Sequence, residues 1–260
     1  IRMAIEAGAD LWHMSATSGP YPAFEDPETG IGRMITSAVG KNAAIFVGPD
    51  GTRFMDENYS PKHGYIMVNG VYSVINIPPD SWMVFDKTTL ESKELLAGFG
   101  EGNATAIAKG WIVGGATIEE LAQKTGLDAA VLAAQIEKYN GFAKNGEDAQ
   151  FGRAAENLTA FDGNGYYAVR VTPSNLNTQG GPVRNTNCEV LDTAGNPIPN
   201  LYSAGELGSM HSGLYQGGSN VSECFVTGRI AAGNACAVKA APASVTLTVA
   251  EQPEAFVKAD

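Results

Sequence analysis

The chain is short of cysteine, of basic residues and of long apolar runs, and each shortage excludes something. Three cysteines in 260 residues, Cys188, Cys224 and Cys236, are odd in number and lack C-x-x-C spacing. They point to neither a disulfide scaffold nor a zinc site and read as small buried residues. Seventeen Lys and Arg against 28 Asp and Glu leave a formal net charge of -11. Without a basic run, the chain is a poor partner for nucleic acid or an anionic membrane. No apolar stretch approaches the ~20 residues of a membrane span. What is present is a 44% hydrophobic content, enough to bury a core as one large domain or two smaller ones.

The most informative stretch is Leu201 to Cys236. An apolar run, Leu201 to Ala204, ends at Gly205 and reads as a buried strand. A Gly- and Ser-rich loop leads to Gly217-Gly218. From Ser219 the pattern predicts a helix, capped by Ser219 or Asn220, with Val221, Phe225, Ile230 and Ala231 recurring at helical spacing. Two glycines ahead of a helix let a flat ligand lie against bare backbone. The helix N-terminus then faces any negative charge on that ligand. The bland alternative is an ordinary strand–turn–helix.

The wording of this stretch is more specific than its pattern. Leu-Tyr-Ser-Ala-Gly-Glu at 201–206, Gly-Gly-x-Asn at 217–220 and Glu-Cys-Phe-Val-Thr-Gly-Arg-Ile-Ala at 223–231 resemble one family's C-terminal flavin-binding segment. That family is the fumarate reductase/succinate dehydrogenase flavoproteins. The likeness is to the bacterial branch with flavocytochrome fumarate reductases, urocanate reductases and 3-ketosteroid dehydrogenases. It runs to about Ala240, specific in the final third and looser between Ser15 and Asp162.

The resemblance implies a mixed α/β and α+β fold: the C-terminal part of a Rossmann-like FAD-binding domain plus an inserted α+β capping domain. Residues 1–15 would end the N-terminal part, 16–164 form the cap, 165–240 return to the flavin domain, and 241–260 be a tail. FAD is the implied cofactor. The upstream dinucleotide-binding half of the same protein is an implied partner, because its G-x-G-x-x-G turn has no counterpart here. Gly98 to Gly102 is a decoy without a strand before it. The chain opens without an initiator Met, in what reads as mid-helix, and so reads as a fragment. Relatives include cytoplasmic and exported proteins, and an export signal would lie upstream of Ile1. The electron partner and oligomeric state have no signature.

In chain order, a helix ending near Gly8 precedes a strand from Asp10 to Met14, with His13 a core or interface residue. Ser15 to Thr29 reads as a domain crossing. Residues 43–57 read as a hairpin, Ala43 to Val47 returning at Arg53-Phe54-Met55 around Pro49-Asp50-Gly51. Trp82 to Asp86 is a strand. Thr117 and Glu120 form a capping box, and Gly126 stops that helix. Asp128 caps a second helix to about Ala143, with Leu132, Ile136 and Tyr139 on one face. Tyr166 to Pro173 alternates like a strand, re-entering the flavin domain.

By resemblance, Gly180 and Gly181, Ala204, Gly205, Glu206, Gly217, Gly218, Ser219, Asn220 and Val221 contact the flavin. Glu206 would accept from its hydroxyls. Tyr215 stands where fumarate-type members carry a carboxylate-binding arginine, and Asn177 where they carry a histidine. The proton-donating arginine would fall at Pro61, with Lys62 and His63 beside it. An enone or ketosteroid is therefore expected rather than fumarate, with Tyr215 polarising the carbonyl or moving a proton. Tyr59, His63, Tyr65, Tyr21 and Ser219 are candidates for the second proton-handling group, Tyr59 and His63 foremost. Alternatives are a non-catalytic fragment or binding module, a fumarate-reductase-like enzyme for another unsaturated acid, and an α/β solute-binding domain.

Overall fold

The computed structural model describes residues 1–35, 39–58, 65–92, 95–96, 103–211 and 217–237. The first elements are α1 (Arg2–Glu6), β1 (Leu11–Trp12), β2 (Thr17–Ser18), β3 (Tyr21–Glu25), β4 (Gly32–Met34) and β5 (Ala44–Val47). A hairpin follows, β6 (Tyr65–Val68) and β7 (Val71–Val74), turning at Asn69 and Gly70 with both at positive φ. Then come β8 (Ser81–Asp86), α2 (Lys87–Ser92), α3 (Ala104–Ala108), β9 (Ile112–Gly115), α4 (Ile118–Thr125) and α5 (Ala129–Asn145). The chain continues through β10 (Tyr166–Ser174), β11 (Asn177–Thr178), β12 (Gly181–Pro182), β13 (Glu189–Leu191), β14 (Pro197–Tyr202) and α6 (Ser219–Ala237). Among the described residues, no helix is long and apolar enough to cross a membrane.

The main sheet is antiparallel, ordered β4-β3-β10-β8-β5, with β9 also on β10. Its strands alternate, and both faces are buried. Ile45, Val47, Trp82, Val84 and Ala168 meet Leu121, Leu132, Ile136 and Tyr139 of α4 and α5. Phe46, Met83, Phe85, Val169 and Val171 point the other way, into a second cluster with Phe24, Ile75 and Trp111. A period of two sends neighbouring residues to opposite faces, so two apolar layers need strands apolar at every position. β5 and the Trp82–Phe85 stretch of β8 meet that demand, buried throughout.

The two helices start as their sequences specify. Thr117 Oγ1 accepts from Glu120 N–H, and Glu120 reaches back to Ala116 N–H at 2.8 Å. Asp128 caps α5 through Ala130 and Val131 N–H. Gly126 and Gly146 end the helices in left-handed conformation, where a Cβ would be strained.

One expectation changes. The ladder partner of β5 is β8, and the expected return strand meets it only in an isolated Val47–Arg53 bridge. The reason is where Arg53 goes. Its guanidinium is fully buried, held by Glu57 at 2.7 and 2.8 Å and by Asp148 at 3.0 and 3.3 Å. Arg153 joins Glu57 at 3.3 Å and donates to Ala44 O at 2.8 Å. Two cations and two carboxylates thus neutralise one another inside the fold. β10 spans two parts of the sheet. It pairs with β8 over Tyr166–Val171, and its last three residues pair with β3.

Candidate functional site

Beyond Ser174 the chain meets its own N-terminal segment again. β11 pairs with β2, and β12 with β1. Gln179 N–H donates to Ala16 O, while Gln179 O accepts from Ser209 N–H. Three segments, 10–18, 177–183 and 203–211, therefore converge. Glycine is required where they cross. A Cβ on Gly181 would lie 2.3 Å from Gly208 N, and one on Gly180 would lie 2.9 Å from Met14 Cα. These two glycines make room for protein backbone.

The 203–211 segment is fastened to α6 by polar groups. Thr227 Oγ1 accepts from Gly205 N–H at 2.8 Å, and Arg184 donates to Gly205 O at 3.0 Å. Buried Arg184 also pairs with Glu223, whose Oε2 accepts from Ser209 Oγ at 2.6 Å. Met210 N–H adds a bond to Glu223 Oε1 at 2.8 Å. Asn220, Glu223, Thr227 and Ala231 form the buried face of α6. Its apolar side points outward, with Val221, Phe225 and Val226 exposed by 60%, 76% and 56%. Asn220, Glu223 and Thr227 carry polar atoms that bond to the 203–211 segment, so this face turns in.

Glu206 Oε1 accepts from the side-chain amides of both Asn177 and Asn220. Burial raises its carboxyl above the usual range, and the Asn220 and Asn177 amides offset only part of that. Among the described residues, the Oδ1 atoms of these two asparagines, Trp12 Nε1 and both amide atoms of Gln179 are buried without partners. His13 Nδ1 lies 2.8 Å from Ser209 O. A carbonyl only accepts, so Nδ1 carries the hydrogen. A cavity of about 400 Å³ opens beside Gly217, Gly218 and Ser219, with His211 and Glu223 also lining it. Among the described residues, nothing lies within 4 Å of a Cβ built on Gly217 or Gly218.

A larger hollow, about 660 Å³, lies against Gly114, Glu120 and Lys124. Lys124 is committed to the Gly114 carbonyl and Glu120 to the Ala116 N–H.

Residues 1–221 match the FAD binding domain family. The chain belongs to that family. Two relatives are the "Probable fumarate reductase Ifc3" of Shewanella frigidimarina and the 3-oxosteroid 1-dehydrogenase of Mycolicibacterium smegmatis. The first is 32% identical over 90% of this chain and 37% of its own length. The second is 30% identical over 76% and 39%. The open conformation of a flavocytochrome c3 fumarate reductase is 28% identical, with a TM-score of 0.63 over 90% of this chain and 39% of that one. The chain thus spans about two fifths of the length of these relatives.

FAD is the family's cofactor, and the residues here fit it. Gly217 and Gly218 leave open space at the start of a 19-residue helix, and Glu206 offers a carboxylate to hydroxyl donors. Gly205 is different: both its backbone groups are already used by Thr227 and Arg184. Ala204 is half-buried beside it, and Ser219, Asn220 and Val221 form the first turn of α6. Tyr215, His63 and Tyr59 lie outside the described residues. Tyr21 is buried in β3, with its hydroxyl pushed up by burial. Cys188 is buried as expected, but Cys224 and Cys236 are exposed, because α6 turns its polar stripe inward. Arg184, Ser209, His211 and Glu223 are absent from the sequence expectations. The stripe Asn220, Glu223, Thr227 was the available sign for Glu223; Arg184, 39 residues earlier, has none.

Proposed function

We propose that this chain is the substrate-capping and C-terminal flavin-binding part of an FAD-dependent oxidoreductase acting on CH–CH bonds. Its substrate carries an activated C=C or CH–CH bond beside a carbonyl, as in an enone or a ketosteroid. The observation that carries the reading is the family match over residues 1–221. Bound flavin supplies a hydride donor and acceptor at N5.

Three features favour a neutral carbonyl substrate over a dicarboxylate. The amide of Asn177, at the position of a histidine in fumarate-type members, is committed to Glu206. No Arg or Lys is among the described residues lining the cavity beside Gly217. Tyr215 cannot grip a carboxylate bidentately as arginine does. Its phenol would donate to the substrate carbonyl, with backbone N–H groups near Gly217 assisting. Relatives named for both chemistries, a fumarate reductase and an oxosteroid dehydrogenase, are of similar identity, so the site residues decide.

The exposed apolar face of α6 supports an upstream dinucleotide-binding half as partner. The test uses the full-length protein loaded with FAD and chemically reduced without oxygen. Reoxidation is followed on adding a steroid enone, a small enone or fumarate. The enones are expected to reoxidise it and fumarate not. Rapid reoxidation by fumarate alone would overturn the reading.

A further inference from the structure

One side chain at the crossing of the three segments is fixed in place and only half used. His13 sits at positive φ, 55°, a left-handed backbone that residues with a Cβ seldom adopt. Two contacts hold its ring. It stacks on Trp12, with centroids 4.5 Å apart and planes 6° from parallel. Its Nδ1 lies 2.8 Å from Ser209 O, so Nδ1 carries the hydrogen. In the neutral ring that leaves Nε2 with a lone pair, an acceptor. Nε2 makes no hydrogen bond among the described residues, and the residue is only half-buried.

The bond to Ser209 ties this acceptor to Glu206. Ser209 N–H donates to Glu206 O at 3.2 Å, closing a turn. The imidazole and the Glu206 carboxylate therefore hang on the same turn, in different surroundings. Met14 next to the imidazole, and Leu207 and Met210 next to the turn, are exposed apolar side chains. Glu206 is held by two asparagine amides. One acceptor among apolar side chains suits the edge of a flat, mostly apolar ring with a single donor. A carboxylate among amides suits hydroxyl groups. A flavin joins both on one molecule: a hydroxylated ribityl chain and an isoalloxazine whose oxidised form has one N–H, at N3.

We propose that His13 is a further cofactor-binding residue, whose Nε2 accepts a hydrogen bond from N3–H of the bound isoalloxazine. This rests on the flavin reading above. No covalent bond forms or breaks, and no proton is transferred. The left-handed backbone, the Trp12 stack and the Ser209 bond hold the acceptor in one orientation, so binding orders no mobile side chain.

The experiment compares FAD with N3-methyl-FAD, which lacks that donor, by fluorescence titration of full-length protein freed of cofactor. It is run at about pH 8, at the upper end of the range in which imidazole ordinarily exchanges its proton. Wild type is expected to bind FAD about five- to tenfold more tightly than the analogue, the worth of one hydrogen bond. His13→Asn tolerates the left-handed backbone, and its amide donates to Ser209 O, but it has no atom in place of Nε2. This variant should bind FAD more weakly and lose most of the discrimination. An FAD-to-analogue ratio as large in His13→Asn as in wild type would overturn the proposal while leaving the flavin reading intact. So would a wild type that binds both flavins equally. Folded full-length protein that binds neither would overturn both. Should His13→Asn not fold, the imidazole nitrogen NMR spectrum of wild type decides. The Nε2 signal should differ between the FAD and analogue complexes, and an Nε2 signal common to both refutes the role.

Discussion

Ser209 donates its hydroxyl hydrogen to Glu223 across 2.6 Å, while Arg184 occupies the other carboxylate oxygen. One buried carboxylate therefore fastens the loop around Glu206 to α6. Removing it leaves Arg184 charged and unpaired in the interior. Glu223→Ala should cost about 3–5 kcal/mol in urea unfolding. Glu223→Gln keeps the shape and should cost less. A Glu223→Leu, Arg184→Met pair should recover much of the loss, because no buried charge is stranded. Equal stability of Glu223→Ala and wild type would refute this role.

The glycines divide into two kinds. Gly181 lies against protein backbone, 2.3 Å from Gly208 N to its would-be Cβ, whereas Gly217 has open space there. Gly181→Ala should therefore destabilise by about 1–3 kcal/mol through overpacking. Gly217→Ala should stay within about 0.5 kcal/mol of wild type, yet weaken FAD binding. Unfolding curves and a flavin titration on the same preparations separate the two. Gly217→Ala with unchanged FAD affinity would remove Gly217 from the flavin contact set.

Much of the helix pair and main sheet was legible because its determinants are local. Thr117, Asp128 and Gly126 specify helix ends within a few residues, and Tyr166 to Pro173 alternates visibly. The Asn69-Gly70 hairpin was not anticipated, although its two-residue turn at positive φ is a local signal. The pairing of β5 with β8 was not legible from the local turn around Pro49. It depends on Arg53 being drawn to Asp148, 95 residues away. The same holds at the site. Asn177, Glu206 and Asn220 share hydrogen bonds that no spacing rule relates. The inward face of α6 is set by the bonds of Asn220, Glu223 and Thr227 to the 203–211 segment, which apolar periodicity does not report.

The buried cluster of Arg53, Glu57, Asp148 and Arg153 makes an acid-sensitivity prediction. Burial alone would raise the Asp148 carboxyl. Arg53 and the N–H groups of Gln150 and Phe151 overrule it and hold the group below the usual carboxylate value. A depressed acid stabilises the fold above its ordinary pKa, near 3.9. That contribution is lost as pH falls through the lower folded value. The urea-midpoint gap between wild type and Asp148→Asn should be largest near neutrality and shrink in acid below about pH 4. A gap independent of pH would mean that the carboxylate charge is not what stabilises.

Tyr215 is the residue on which substrate chemistry turns in the proposed reaction. Tyr215→Phe removes one hydroxyl and little volume. It should leave flavin binding unchanged and lower turnover of an enone by 10²–10³-fold, roughly the effect of one lost carbonyl-polarising donor. A matched fall in FAD affinity would instead make the residue part of the flavin cradle. Unchanged turnover with flavin bound would end its catalytic assignment.

The outward face of α6 makes the last prediction. Phe225 is 76% exposed, with Val221 and Val226 beside it. Apolar side chains on one helix face, with a polar stripe bound on the other, are what a second packing partner would require. If the upstream half covers this face, Phe225 is buried in the full-length protein and exposed in this chain. Phe225→Ser should then cost about 1.5–3 kcal/mol in the longer protein and close to nothing here, where it should raise solubility. Parallel unfolding of the two lengths, wild type and variant, reads the difference directly. Equal effects in both would show that the face stays open to solvent, and the upstream half would have to dock elsewhere.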